Sequence, residues 1–437
     1  MTEQSAERPP ARSAPPGWNP ARRKPQLIRV TDNIHVAVNY AISNVIFVIT
    51  DRSVVVVDTS ENEASASAAF ADFRKICELP VSHIIYTHFH GDHVRGTKVF
   101  HGPGTRVIAQ KLMPQELQTM IALIGHRTRA ELLQFGAGLH GTDRGVSLVG
   151  YGQNGARCSD GFWKHARWDA PGYIAPDVTF DDEYRFSEGG VDFELYHTQG
   201  ETVDHLMVWL PREKALLPGD LFYPCFPMLS SPMKPDRPVF AWAQSIDRMR
   251  AMRPGFLVPS HAKPLEGEDA IDETLSNYAK AIRFVHDETV KGINEGLPVE
   301  QIRRNVRLPA DLAKLPYLHQ SYGKLTWAVN GIYRQYTGWY DFNPTTLRRN
   351  PRGLLERTVL AACGGPGPLN SQAKAASEVG QHQLVLELTD IVLAAQPANQ
   401  VAVRLRVASL RKLGLAATNG VERNLYLGAA ASLAPPP

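Results

Sequence analysis

Long apolar runs are missing from this chain. Nothing in it approaches the roughly 20 residues needed to cross a bilayer, and the N-terminus has no apolar stretch of the secretory kind, so a membrane role is not expected. Cysteine is scarce. Cys77, Cys158, Cys225 and Cys363 lie far apart in 437 residues with no CxxC pair, which argues against a disulfide framework or a zinc ribbon. They read as free thiols of a reducing compartment, and a cytoplasmic location is the expectation. Charge of one sign is lacking too, since 47 Lys and Arg against 44 Asp and Glu leave only +3. Nucleic-acid binding needs a concentrated basic face, so no nucleic-acid partner is expected.

What is present is an average globular composition, 43% hydrophobic and 21% charged, long enough for two or three cores. Residues 1–26 carry six prolines in their first 25 positions and few large apolar side chains, and read as a disordered or arm-like tail. From Leu27 the runs IHVAVNY, SNVIFVIT and SVVVVDT predict three meandering strands. A helix follows in which Ala66, Ala69, Phe70, Phe73 and Cys77 share a face, then the strand VSHIIYT, giving an α/β layer with part of its sheet buried on both faces. PQELQTMIALIGHRTRAELLQFG reads as one helix and leads into a Gly-rich aromatic stretch ending at Pro171. Strands resume at DVTF, YRFSEGGVDFELYHT, HLMVWLP and KALLPGD, before the helix VFAWAQSIDRMRAM and the strand FLVPS. After about residue 268 only helical periodicity remains, as in Leu275, Tyr278, Ile282 and Val285, and in Leu384, Leu388, Ile391 and Leu393. The last part, from Ser371 to Ala430, reads as helical hairpins broken at QPANQ and KLGLAATNG.

The chemistry concentrates in THFHGDH. His88, His90, Asp92 and His93 follow an apolar strand within six residues, a density of metal-binding groups with no packing use. Alternation at the strand end sends His88 and His90 to one side, while Asp92 and His93 open the next helix. One peptide can thus serve two adjacent metal positions.

This peptide resembles the HxHxDH motif of the metallo-β-lactamase superfamily, which implies an αββα sandwich with a two-metal hydrolase site. The resemblance implies further ligands at Glu201 in ELYHTQGETVDH, Asp220 in LLPGDLF and His261 in FLVPSHAKP. A glutamate at the first of these is similar to the alkylsulfatase branch, whose bridging acid follows nineteen residues later, the spacing of Glu201 and Asp220. The local sequence is one residue tighter than that branch's PG-x-E, and the bridge is Asp where the branch has Glu. GWYDFNP resembles the branch's GWYDGNP dimerisation signature, and the C-terminal helices resemble its own, without the sterol-carrier-like domain that often follows. The implied division is a catalytic domain over 27–268 and an all-α dimerisation domain over 269–437.

Membership would imply a homodimer acting on a small ester. His88, His90 and Glu201 would hold one ion, Asp92, His93 and His261 the other, and Asp220 would bridge. Zn2+ is the expected metal, with Mn2+ or Fe2+ also compatible with the added carboxylate. The implied reaction is hydrolysis of an alkyl-type sulfate ester by a metal-activated water, with Asp92 and Asp220 as catalytic carboxylates. The alternative is the same site acting on a carboxylic ester, lactone, amide or phosphoester, because the branch's LHN segment is replaced by LFYPCFPMLSSPMKPDRP and a tyrosine position by Phe135. His126, Arg127, Tyr223 and Lys234 are the available candidates for handling the leaving group. His205 reads as a support to the ligands, Tyr333 and Tyr336 as helix packing, and Phe162, Trp163, Trp168 and Tyr173 as either pocket lining or core stacking.

Overall fold

The computed structural model describes residues 24–136, 172–351 and 353–433. Most of the expected tail, together with Cys158, Phe162, Trp163 and Trp168, lies outside them.

The meander is one strand longer than its sequence pattern suggested. β1 (Gln26–Arg29), β2 (Ile34–Val38), β3 (Val45–Ile49) and β4 (Val54–Val57) pair antiparallel in order. β5 (Val81–Ile85), β6 (Arg106–Gln110) and β7 (Val178–Phe180) then add in parallel and complete a seven-stranded sheet. The uninterrupted VVVV of β4 is explained by burial on both faces. Val54 and Val56 pack beneath the helix Glu63–Phe73, whereas Val55 and Val57 face the second sheet. Asn62 caps that helix by accepting the Ser65 amide, and Ala66, Ala69 and Phe73 turn inward. Phe73 stacks on Phe47 with centroids 4.0 Å apart. The helix stops at Phe73, so Cys77 is not on it, although its side chain is still buried in the same core.

Among the described residues the second sheet has six strands, arranged in space in their chain order. β8 (Glu183–Glu188) and β9 (Val191–His197) form a hairpin closed by Gly189 and Gly190, at φ 49° and 77°. Both turn residues need the left-handed region that a type I′ turn requires, which is why glycine fills both. β10 (Leu206–Leu210) and β11 (Ala215–Leu217) continue antiparallel, and the short β12 (Phe256–Leu257) and β13 (Leu265–Glu266) close the edge. Phe193, Leu195, Val208 and Leu217 meet Val36, Ile46, Val55 and Ile85 between the sheets. On the outer face of this second sheet, Arg248 of the helix Val239–Ala251 lies 4.4 Å over the Tyr196 ring, and the helix Glu268–Asn294 packs beside it. Helix, sheet, sheet and helix make the expected αββα sandwich.

After Glu268 the described residues hold helices but no strand, as the loss of period-two patterning predicted. The compact unit containing both sheets continues to Arg349, well past the change of pattern at residue 268. Residues 350–433 form a unit of their own from five helices, Leu354–Ala362, Pro366–Glu378, His382–Ala395, Gln400–Ala416 and Gly420–Leu433. Its buried stripe runs through Val385, Thr389 and Val392 rather than Leu384, which is exposed. The single helix expected over PQELQTMIALIGHRTRAELLQFG is two, Met113–Ala122 and Ile124–Phe135, parted at Leu123. Tyr173 stacks on Tyr86, with centroids 6.0 Å apart, and packs against the core beneath the first sheet's helix.

Candidate metal centre

The chemistry gathers where strands of both sheets end. β4 leads into Asp58, β5 into His88–His93, β9 into Glu201, β11 into Asp220 and β12 into His261. Each side chain therefore sits on a short connection anchored by a buried strand, the usual place for reactive groups in a layered fold.

Asp58 organises the centre, and the sequence reading did not name it. Fully buried at φ 56°, it accepts from the Thr87 amide at 2.9 Å, the Thr87 hydroxyl at 3.0 Å, the Ser260 hydroxyl at 2.7 Å and His93 Nδ1 at 2.7 Å. Holding the His93 proton on Nδ1 aims the Nε2 lone pair at Asp92 Oδ2, 3.3 Å away, and Asp220 Oδ2, 3.6 Å away. His261 is oriented the same way. Its Nδ1 donates to the Ile42 carbonyl at 2.9 Å, leaving Nε2 facing Asp220 Oδ1 at 3.1 Å and Asp92 Oδ2 at 3.6 Å. His88 Nδ1 meets the Thr87 hydroxyl at 3.0 Å, and its Nε2 meets His90 Nδ1 at 2.9 Å.

Two ligand sets result, His88 with His93 and Asp220, and Asp92 with His93 and His261, each with its ligand atoms within 4.8 Å of one another. His93 belongs to both. His90 and Glu201 stand to one side, with His90 Nδ1 4.0 Å from Glu201 Oε1, so His88, His90 and Glu201 are neighbours without forming one compact set. Glu201 is instead engaged by Arg237 at 2.5 Å and by the Tyr223 hydroxyl at 3.3 Å. Arg237 was invisible to the sequence reading, being a lone basic residue ahead of a proline whose role depends on a partner 36 positions away.

The residues fit divalent ions. His93 Nε2 is a buried nitrogen without a hydrogen-bond partner, and imidazole with carboxylate is a donor set that suits zinc and its neighbours. Burial alone would depress His93, but Asp92, Asp58 and Asp220 outweigh it and hold its pKa well above the ordinary value. Burial would likewise raise Asp92, yet His93 and then His261 keep its carboxyl below the usual range. A proton and a metal ion thus compete for His93 Nε2, and binding would release the proton.

His205 is not one of the ligands gathered here. Its Nε2 accepts the Asp220 amide at 3.0 Å and its Nδ1 faces the Thr198 hydroxyl at 3.2 Å, while burial first of all lowers its pKa to about 4. The ring is therefore neutral and fixes the turn that delivers Asp220. Gly219 makes this possible, since at φ 57° a Cβ there would lie 2.7 Å from the His205 ring. Of the four leaving-group candidates, Tyr223 donates to Glu201, Lys234 donates to the Tyr322 hydroxyl at 3.5 Å, Arg127 is half-buried and crowded electrostatically by Arg237, and His126 is exposed. Tyr333 is buried in its helix, and Tyr336 is exposed and hydrogen-bonded to His286.

Residues 39–261 match the family model of the metallo-β-lactamase superfamily, and residues 298–435 match that of alkyl sulfatase dimerisation. A linear primary-alkylsulfatase of Pseudomonas sp. (strain ATCC 19151) is 30% identical over 392 residues, 87% of this chain and 72% of that protein. The alkyl/aryl-sulfatase BDS1 of Saccharomyces cerevisiae is 26% identical over 93% of this chain and 64% of its own length. Among solved structures, the stereoselective inverting sec-alkylsulfatase Pisa1 from Pseudomonas sp. superposes with a TM-score of 0.83 at 23% identity, over 94% of this chain and 65% of that one, and shares the fold.

Proposed function

The chain belongs to the alkylsulfatase branch of the metallo-β-lactamase superfamily, and from that premise we propose that it hydrolyses an alkyl-type sulfate ester to an alcohol and inorganic sulfate at a dinuclear metal centre. The observation that carries this reading is the pair of ligand sets joined at His93, with Asp58 keeping its Nε2 directed at them.

Two divalent ions, Zn2+ first among them, would be held by His88, His90, Asp92, His93, Glu201, Asp220 and His261, and when bound would supply Lewis acidity toward the ester and its attacking water. The protein's own work is positioning. Asp58 and the Ile42 carbonyl fix the proton-bearing nitrogens of His93 and His261, and His205 fixes Asp220. Arg237 and Tyr223 restrain Glu201. Asp92 and Asp220 would be the catalytic carboxylates.

The reading extends to a homodimer in the cytoplasm, with residues 27–268 catalytic and 269–437 forming the helical dimerisation region. Among the described residues no helix is long and apolar enough to cross a membrane. The test is sulfate release, followed by ion chromatography, from a panel of alkyl sulfates, with matched phosphate monoesters, carboxylic esters, lactones and amides alongside. Turnover of alkyl sulfates that a chelator abolishes and Zn2+ restores is the expected result. Turnover confined to another ester class would overturn the substrate assignment, and chelator-insensitive turnover would overturn the metal.

A further inference from the structure

The loop that carries Arg237 is held from outside by a helix of the stretch matched by the dimerisation model. The helix Leu325–Thr337 lies within that match, 298–435, and Gly331, Arg334 and Gln335 fall on one of its faces at i, i+3 and i+4. All three meet the loop of residues 230–237. Arg334 forms a two-armed ion pair with Asp236, 98 positions earlier, Nε to Oδ2 at 3.1 Å and Nη2 to Oδ1 at 2.8 Å. Gln335 donates to the Arg237 carbonyl. Gly331 lets the helix come this close, because a Cβ there would lie 2.5 Å from Ser230 Cβ and 2.8 Å from Asp236 Oδ1.

The loop is thus gripped at two consecutive residues. The Ser230 hydroxyl donates to the same Asp236 Oδ1 at 2.8 Å, and the Arg237 amide donates to the Leu229 carbonyl at 3.2 Å. From this fixed base the Arg237 guanidinium reaches Glu201 at 2.5 Å, with both side chains almost wholly buried. An arginine side chain has rotamer freedom to lose, and a buried ion pair is stable only where its geometry is good. Fixing the backbone beneath Arg237 supplies that geometry. Through Arg237, the helix therefore acts on the orientation of Glu201.

We propose that Arg334, seconded by Gln335, is a positioning residue of the metal centre: it braces Asp236 and the Arg237 backbone so that Arg237 stays on Glu201. The stretch matched by the dimerisation model then has a second task inside its own chain, which is to set how one carboxylate is presented to the metal. This rests on Glu201 being a metal ligand and deepens the hydrolase reading. Arg334 itself touches neither metal nor substrate.

The experiment uses the full-length protein, metal-free and zinc-loaded. Arg334→Met, Arg334→Lys and Gly331→Ala are compared with the wild type for zinc bound per chain in chelator-buffered solution, for oligomeric state by light scattering and for unfolding in denaturant. A double-mutant cycle pairs Arg334→Met with Glu201→Gln in the metal-free protein. Arg334→Met should weaken one of the two zinc ions about three- to tenfold while the other ion and the oligomeric state stay as in the wild type. Gly331→Ala should act in the same sense, and Arg334→Lys, which keeps the charge without the fork, should recover part of the loss. In the metal-free cycle, the shift in unfolding midpoint caused by Arg334→Met should fall by about half or more in the Glu201→Gln background, because Arg237 has then lost the partner that the brace serves. Wild-type zinc binding in a folded Arg334→Met protein, equal weakening of both ions, zinc loss only with a changed oligomeric state, or an additive cycle would each overturn the proposal. If Arg334→Met fails to fold, Arg334→Lys and Gly331→Ala decide it by the same zinc measurement. A coupled cycle in a wild type that binds no zinc would sink the metal reading and leave the brace standing.

Discussion

Replacing Asp58 with Asn tests the organisation of the centre most sharply. The side chain keeps its size, and Asn tolerates the left-handed φ of 56° as readily as Asp does. What changes is the hydrogen-bond inventory. Oδ1 accepts the Thr87 amide, a donor that cannot reverse, so the amide oxygen of Asn must stay there. The NH2 then occupies the place of Oδ2, where three groups now donate: the Thr87 hydroxyl, the Ser260 hydroxyl and His93 Nδ1. The two hydroxyls can rotate. His93 can adapt only by moving its proton to Nε2, the atom that faces Asp92 and Asp220. Each lost charge-assisted bond is worth about 1.5–3 kcal/mol, partly recovered by rotation, so a destabilisation of about 2–4 kcal/mol is expected. The larger effect falls on the metal, where loss of such an orienting partner lowers affinity by about 10- to 100-fold. Zinc affinity from chelator competition and the His93 tautomer from imidazole 15N shifts are the readouts. A variant that binds zinc like the wild type, with His93 still protonated on Nδ1, would refute the reasoning.

Gly219→Ala should be disproportionately harmful for one methyl group, because the new Cβ meets the His205 ring at 2.7 Å on backbone already at φ 57°. We expect a loss of about 1–3 kcal/mol in chemical denaturation together with lower turnover, since the Asp220 amide would be pulled from His205. Asp204 is buried, and burial pushes its carboxyl up to about 7. Because the folded-state value lies above that of the unfolded chain, its contribution is intact below about pH 4 and is lost as pH rises through 7, by at most about 4 kcal/mol. Asp204→Asn should flatten that part of the stability profile, and a difference between variant and wild type that does not change with pH would contradict this. Cys225 is buried, and burial raises its thiol to about 12, so it should resist thiol reagents in the native protein while the half-buried Cys363 reacts. Rapid native labelling of Cys225, read by peptide mass spectrometry, would be the contrary result.

The sequence by itself determined the parts of this protein that are local. His88, His90, Asp92 and His93 lie within one turn of chain beyond a buried strand, so neither their clustering nor their chemistry depended on anything distant. The strands were legible because burial on one or both faces forces period-two or uninterrupted apolar runs, as in Val54–Val57. The helical third was legible because that period vanishes. Tertiary structure decided what depends on chain crossings. Asp58 reads as the polar end of an apolar strand until β4 and β5 pair in parallel and bring it under His93, 35 residues on. Arg237 carries no local signature, because it acquires its role only when two segments 36 positions apart in sequence meet at Glu201. Periodicity was blind to the break at Leu123 and to the continuation of the sheet-bearing unit through Arg349, since an apolar stripe shows that a helix is buried without saying what buries it. The tautomer of His93 is likewise a matter of partners, and partners are chosen in three dimensions.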